Sequence, residues 1–367
     1  MVLERVVING KYLSARPTGV HRVASELIQQ IDLEFQTGNG ARSPLSWELV
    51  VPRDAKIALP LKTIPCRQRG LMTWQPWEQF ELPVIARGTL LLSLCNLAPL
   101  SLPGGITMIH DAQVYISPQS YSRAFRNWYR FALPKIGAMA DRILTVSAFS
   151  RDRLVEFGIA PLSKIEVIHN GVDHIYKVVP DRTILERLTL RPGRYAVALA
   201  NTQRHKNIGI LLRAFARPEL AKVTLVLVGR EDEAAFAAAN LRVPSNVIFS
   251  GPVDDAALRG LMEQAACLAF PSLTEGFGLP PLEAMAVGCP AIVAPRGALP
   301  EACGDAAIYA DPDDDAAWAE AILRFVEDPE AKAVSREKGH VRAALFTWAN
   351  SAKALLRIVR EVALARS

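Results

Sequence analysis

The stretch PSLTEGFGLPPLEAMAVGCP, residues 271–290, decides how the rest of the chain reads. An apolar run at 268–271 predicts a strand, a glycine-containing loop follows, and Pro280 and Pro281 open a helix, because proline's fixed φ suits a first helical turn. Gly276 and Gly278 let backbone N–H groups come close to a ligand, and the N-terminus of the helix adds partial positive charge. That combination suits a diphosphate. Glu275 precedes the loop, and Glu283 falls in the predicted first turn. Carboxylates accept hydrogen bonds from vicinal hydroxyls, so the two suit a sugar or a ribose. Alone, Glu283 would read as a residue complementing the helix dipole. Beside Glu275 and the glycines it reads as a ligand contact.

Outward from this segment, short β-rich runs alternate with helical stretches. In the second half the predicted strands are 196–200, 224–228, 247–250, 268–271, 291–294 and 307–309, and the helices are 208–216, 255–266, 281–287, 314–327 and 350–364. The first half offers strands 6–9, 47–51, 89–93, 107–110, 143–146 and 165–168, with helices 20–33, 118–139 and 149–157. This rhythm predicts α/β structure, with parallel sheets built from βαβ units. Two Rossmann-like, doubly wound domains follow, 1–173 and 174–349, with residues 350–367 expected as a helix packing back on the first. The break is placed in the polar segment 173–192, which lacks a strand pattern and ends at Pro192-Gly193. Open α/β sheets bind ligands at the carboxyl ends of their strands, so a substrate cleft is expected between two facing domains.

The 367 residues are half apolar and carry 42 Lys+Arg against 37 Asp+Glu, which excludes disordered, collagen-like and disulfide-scaffold classes. Residues 1–173 hold 19 basic and 14 acidic side chains and residues 174–367 hold 23 of each, so the whole excess of +5 lies in the first half. Such a surplus suits an anionic partner such as a membrane surface. Nucleic acid is a poor candidate, since no basic arm or stacking motif accompanies it. Cys66, Cys95, Cys267, Cys289 and Cys303 are widely spaced and read as reduced, mostly buried thiols. Glu4 and Arg5 stand where a signal peptide needs its apolar run, so a cytoplasmic location is expected. Residues 88–109 are free of charge and long enough to span a bilayer. However, Pro99, Pro103 and Gly104-Gly105 would break a helix there, so two buried strands and a loop are expected.

The spacing of Glu275 and Glu283 resembles the E-x7-E signature of the retaining glycosyltransferases of family GT4, which have the GT-B fold. Further segments fall in that family's order: Thr18-Gly19-Val20, His110-Asp111, Val146-Ser147-Ala148-Phe149-Ser150, His169-Asn170-Gly171-Val172-Asp173, Arg204-His205-Lys206-Asn207 and Phe346-Thr347-Trp348. The similarity spans nearly the whole chain and is weakest over 35–88. It implies transfer of a sugar from a nucleotide diphosphate to an acceptor hydroxyl with retention at the anomeric carbon. By that resemblance Glu275 and the N–H groups of Gly276, Phe277, Gly278 and Leu279 hold the donor sugar, and Glu283 binds the ribose. Lys206 neutralises the diphosphate as negative charge grows on the leaving oxygen, a change that a fixed cation stabilises. Relatives carry an arginine a few residues before this lysine; here the stretch reads Leu199-Ala200-Asn201-Thr202-Gln203, and Arg204 stands in from a shifted position. His110 is expected to touch the donor sugar, its ring oriented by Asp111, and Gly19 to let the backbone approach the diphosphate. Lys206, Arg204 and the N-terminus of the helix supply the charge that Mg²⁺ would otherwise give, so no metal or other cofactor is expected. Asp311-Pro312-Asp313-Asp314-Asp315, though it contains the spelling of a metal motif, reads as acidic residues that cap the following helix and complement its dipole.

The acceptor side is legible as a composition only. Arg123, Arg126, Arg130 and Lys135 alternate with Phe125, Trp128, Tyr129 and Phe131, as in interfacial helices of peripheral membrane enzymes. A membrane-peripheral glycosyltransferase of surface glycan or glycolipid assembly is therefore expected. It would take a nucleotide sugar, with GDP-mannose as the first donor and mannosyltransferases of polysaccharide assembly as the nearest likeness, and a glycan or lipid-linked acceptor. The rival readings are a nucleotide-sugar 2-epimerase of the same fold and a catalytically silent glycan-binding protein.

Overall fold

The computed structural model describes residues 5–38, 45–56 and 59–366. It divides into two compact units: the described residues up to Gly171 together with those from Trp348 onward, and Val172–Thr347. These breaks fall two residues from the lines drawn on the sequence.

The first unit holds seven parallel strands: β1 (Arg5–Asn9), β2 (Ser46–Val51), β3 (Cys66–Gln68), β4 (Leu90–Ser93), β5 (Ile106–Met108), β6 (Arg142–Thr145) and β7 (Ile165–Val167), in the order β3-β2-β1-β4-β5-β6-β7. In the register Val6 pairs with Trp47 on one side and with Leu90 on the other. Val6, Val7 and Ile8 are buried, as expected of a parallel strand covered on both faces. The edge strand β3 is exposed throughout and carries no apolar pattern, which is why its sequence did not announce it. Residues 88–109 form β4, a loop and β5, and no described helix is long and apolar enough to cross a membrane. The helix Trp348–Ala365 packs on Gly19–Thr37 within this unit and buries Trp348, Leu355, Ile358 and Val359.

The second unit holds β8 (Tyr195–Leu199), β9 (Thr224–Val228), β10 (Val247–Gly251), β11 (Cys267–Phe270), β12 (Ala291–Val293) and β13 (Ile308–Tyr309), all parallel, in the order β10-β9-β8-β11-β12-β13. Its core gathers Phe215, Leu225, Leu227, Phe236, Trp318 and Ile322. The polar segment 173–192 is structured. It forms the 3-10 turn Asp173–Lys177 and the helix Thr183–Arg187, and it buries Ile175, Ile184 and Leu185, so it belongs to this unit. Arg259 fixes it by donating from Nη1 to the Ile175 carbonyl at 3.0 Å. Asp314 accepts from the Ala316 and Ala317 amides at 2.9 and 3.2 Å, capping the helix Asp315–Glu327. All five cysteines are free thiols; Cys267, Cys289 and Cys303 are buried and Cys66 is exposed.

Candidate functional site

Strand order reverses between β8 and β11 in the second unit, and loops leaving such neighbours diverge to open a crevice. β8 leads into the 3-10 turn Arg204–Lys206, and β11 leads through 271–278 into the helix Leu279–Ala286. The Leu273 amide donates to the His205 carbonyl at 2.7 Å, tying the two loops together. Asn207, at φ +51°, turns the chain into the helix Ile208–Phe215. Asparagine tolerates that left-handed conformation better than most residues do. Gly278 has φ +122°, which other residues rarely adopt, and it starts the helix two residues earlier than the prolines suggested. Glu283 is therefore the fifth residue of the helix, outside the first turn, which weakens the dipole account of it.

Lys206 Nζ lies 2.7 Å from Glu275 Oε1 and 5.4 Å from the centre of the Phe270 ring. His174 Nε2 lies 3.1 Å from Glu283 Oε1. The second oxygen of each glutamate accepts no hydrogen bond among the described residues, so both carboxylates keep acceptor capacity. Arg204, exposed in the same turn as Lys206, makes no ion pair among the described residues. Burial, then the Lys206 charge, holds the His205 ring below its ordinary pKa, so it adds no third cation near neutrality. Gly276, Phe277 and Gly278 are buried and Leu279 is half-buried; the Phe277 ring meets Phe346 edge-on at 5.5 Å. A cation, an exposed guanidinium and two half-used carboxylates can bind a phosphate group and two sets of vicinal hydroxyls.

Two supports escaped the sequence reading. Gly297 has φ +61°, and a Cβ there would come within 2.6 Å of the Glu275 amide nitrogen; Ala298 N also donates to the Glu275 carbonyl at 3.1 Å. Only glycine lets that strand-end loop lie so close behind Glu275. The second support is His174, whose contact with Glu283 spans 109 positions.

In the first unit the order reverses between β1 and β4. Asn9 there donates to Glu78 Oε1 at 2.8 Å and to Ser93 Oγ at 3.3 Å. Lys11 forms a buried ion pair with Glu78 Oε2, which also accepts from Gln79 Nε2 at 3.3 Å. Beside them a cavity of about 550 Å³ is lined by Gln75, Pro76, Gln79, Phe80, Leu100 and Trp128.

His110 lies two residues beyond β5, which ends at Met108, so the strand is shorter than predicted. Its Nε2 lies 2.8 Å from the Leu94 carbonyl, whereas Asp111 accepts from the Gln113 amide at 2.9 Å. The expected His110–Asp111 hydrogen bond is thus replaced by one to backbone, because β4 and β5 are neighbours and bring Leu94 alongside. Burial pushes the His110 pKa down to about 4, partly opposed by that hydrogen bond. A carbonyl only accepts, so the neutral ring donates from Nε2 and presents Nδ1 as an acceptor. Gly19 opens the helix Gly19–Thr37 after Thr18, the N-cap. A Cβ at Gly19 would meet no protein atom within 4 Å, so packing does not demand glycine there.

Comparison with known proteins matches residues 59–175 to the family model described as Glycosyltransferase Family 4 and residues 186–342 to Glycosyl transferases group 1. The chain is 29% identical over 262 residues to O-antigen chain mannosyltransferase B of Escherichia coli, covering 69% of each chain. It is 28% identical over 239 residues to O-antigen chain mannosyltransferase RfbU of Salmonella typhimurium, covering 64% of this chain and 63% of that one. Among solved structures, sucrose-phosphate synthase from Thermosynechococcus elongatus superposes with TM-score 0.75 at 20% identity over 99% of this chain and 100% of that one. HepE of Anabaena in complex with UDP and glucose gives TM-score 0.70 at 18% identity over 98% and 100%. With such models on both halves, the chain belongs to the glycosyltransferases and has their GT-B fold. Within that class it resembles the GT4 members and the O-antigen mannosyltransferases.

Proposed function

We propose that this chain is a retaining hexosyltransferase that moves mannose from GDP-mannose to a hydroxyl of a glycan or lipid-linked acceptor in surface polysaccharide assembly. The observation that carries the reading is the Lys206–Glu275 contact at 2.7 Å, with both glutamates keeping one oxygen unbonded. Glu275 and the loop Gly276 to Leu279 hold the sugar, Glu283 holds the ribose, and Lys206 with Arg204 receives the diphosphate. In the first unit Gly19 offers backbone space for a phosphate and His110 Nδ1 an acceptor for a sugar hydroxyl. The C1–O bond to the diphosphate breaks as the acceptor oxygen bonds C1 on the same face, and the acceptor proton passes to the departing phosphate. Lys206 stabilises the charge that grows on that phosphate. Two fixed cations meet this need without a divalent metal, so EDTA should leave turnover unchanged. The names of the O-antigen mannosyltransferase relatives support mannose; the neighbour bound to UDP and glucose makes UDP-glucose the second donor.

The acceptor unit faces an anionic membrane in this proposal. Phe125 and Phe131 on the helix Arg123–Met139 are exposed, as are Phe80 and Val84 beside the apolar cavity. Lys135 Nζ sits 4.1 Å from the Phe131 ring centre, placing a cation at the edge of this apolar surface. Sedimentation with anionic vesicles should retain the protein and lose it when Arg123, Arg126, Arg130 and Lys135 become glutamine. Equal retention of the variant would remove the membrane contact.

The transfer itself is tested by incubating the purified chain with GDP-mannose, UDP-glucose and other nucleotide sugars and following nucleoside diphosphate release. GDP-mannose should be cleaved fastest, the released sugar should keep its anomeric configuration at early times, and Glu275→Ala should abolish release. Conversion of UDP-GlcNAc to its 2-epimer would favour the epimerase, and no turnover of any donor would favour a silent binder.

A further inference from the structure

Glu283 projects from a helix whose neighbouring residues Pro281, Leu282, Ala284, Met285 and Ala286 are all buried, so the backbone beneath it is fixed. Its side chain still has rotatable bonds, and a carboxylate aims at a diol only if something holds it. The one partner of the carboxylate among the described residues is His174, at 3.1 Å from Oε1, on the 3-10 turn Asp173–Lys177 that packs on this helix. His174 is 3% exposed and Glu283 9%, so neither has much water to substitute for the contact. A carboxylate only accepts, so His174 Nε2 must carry the proton. Oε1 is pinned by it and Oε2 is left as the oriented acceptor.

We propose that His174 is a positioning residue for Glu283 and thereby sets the preference of the donor site for a ribonucleotide over a deoxyribonucleotide. The inference rests on the reading of Glu283 as the ribose-binding residue. With Oε1 held by His174, one hydroxyl of a vicinal pair is met by Oε2 and the second by the remaining lone pair of Oε1. Without His174 the carboxylate loses its fixed direction and is left buried without its donor, so the hydroxyl contacts weaken while contacts to base and diphosphate stay. The fixed orientation is worth a hydrogen bond to a charged group, roughly a tenfold change in affinity.

The test measures dissociation constants by calorimetry for GDP and UDP and for their 2′,3′-dideoxy counterparts, in wild type, Glu283→Ala, His174→Leu and His174→Gln, each checked for folding by thermal melting. Wild type should favour the ribonucleotide by about tenfold or more, and Glu283→Ala should bring the ratio near one. His174→Leu should weaken ribonucleotide binding about tenfold and leave dideoxynucleotide binding unchanged. A merely structural role would move both. His174→Gln, whose Nε2 can donate from a similar place, should restore the preference, and it serves as the test if the leucine variant fails to fold: loss of the ratio in a folded His174→Gln protein then counts against the hydrogen bond. A His174→Leu protein that keeps the wild-type ratio while Glu283→Ala loses it overturns the inference and leaves the ribose reading intact. A Glu283→Ala protein that keeps the ratio overturns both.

Discussion

The two units present charged groups at the same topological place, the reversal of strand order, and use them in opposite ways. After β8 and β11, Lys206 and Glu275 remain 23% and 17% exposed, and Glu275 spends one oxygen only. Beside the ends of β1 and β4, Lys11 and Glu78, the latter from the helical segment before β4, are 9% and 1% exposed, and Glu78 engages both oxygens, with Asn9, Lys11 and Gln79. A half-used carboxylate beside water is ready for a ligand. A saturated, buried one fixes the loop that carries it, and losing a partner there leaves an uncompensated charge. The difference separates a candidate binding site from a structural network where residue type alone does not.

Breaking the saturated network should give the largest effect. Glu78→Ala strands Lys11 in a buried place and should cost about 3–5 kcal/mol of stability by urea unfolding; a cost under 1 kcal/mol would make this network as expendable as a surface pair. Acid should act next, through His110. Its folded pKa of about 4 lies below the ordinary 6.5, so between those values the unfolded chain binds more protons and stability falls as pH is lowered. The contribution is about 3 kcal/mol at most, and it should be missing from His110→Gln when unfolding at pH 7.5 and pH 4 is compared. A variant with the same pH dependence as wild type would place the acid sensitivity elsewhere. The smallest effect sharpens the comparison from the ligand side. Gly19→Ala meets no protein atom and sits at a helix start, so stability should hold or rise by up to about 1 kcal/mol. Turnover should fall about tenfold, as for a methyl group intruding on the diphosphate; full activity would return Gly19 to an incidental role.

Much of this was legible because it is local. The strands around residues 196, 268 and 291 announce themselves by unbroken apolar runs, and Glu275, Gly278 and Glu283 stand within nine positions of one another. What stayed hidden depends on distance or on weak pattern. The helix Pro329–Ala343 buries Gly339 and Ala343 alone, so it has no apolar stripe to betray it. Lys11 meets Glu78 across 67 positions and His174 meets Glu283 across 109, contacts that only the folded chain brings together. His110 was placed at the right strand end but with the wrong partner, because spacing suggested Asp111 while sheet order supplied the Leu94 carbonyl. In the segment 173–192 the 3-10 turn Asp173–Lys177 and the helix Thr183–Arg187 went unread for want of a strong pattern, although Ile175, Ile184 and Leu185 are buried in the second unit.

The central claim is that the partly exposed, half-paired charges of the second unit do the chemistry. Steady-state turnover of GDP-mannose by Lys206→Ala tests it most directly, since leaving-group charge develops only in the transition state. The account predicts kcat lower by about a hundredfold, in the range seen when one fixed charge-stabilising group is removed, with KM changed much less. An unchanged kcat with a raised KM would make Lys206 a binding residue alone and contradict the account.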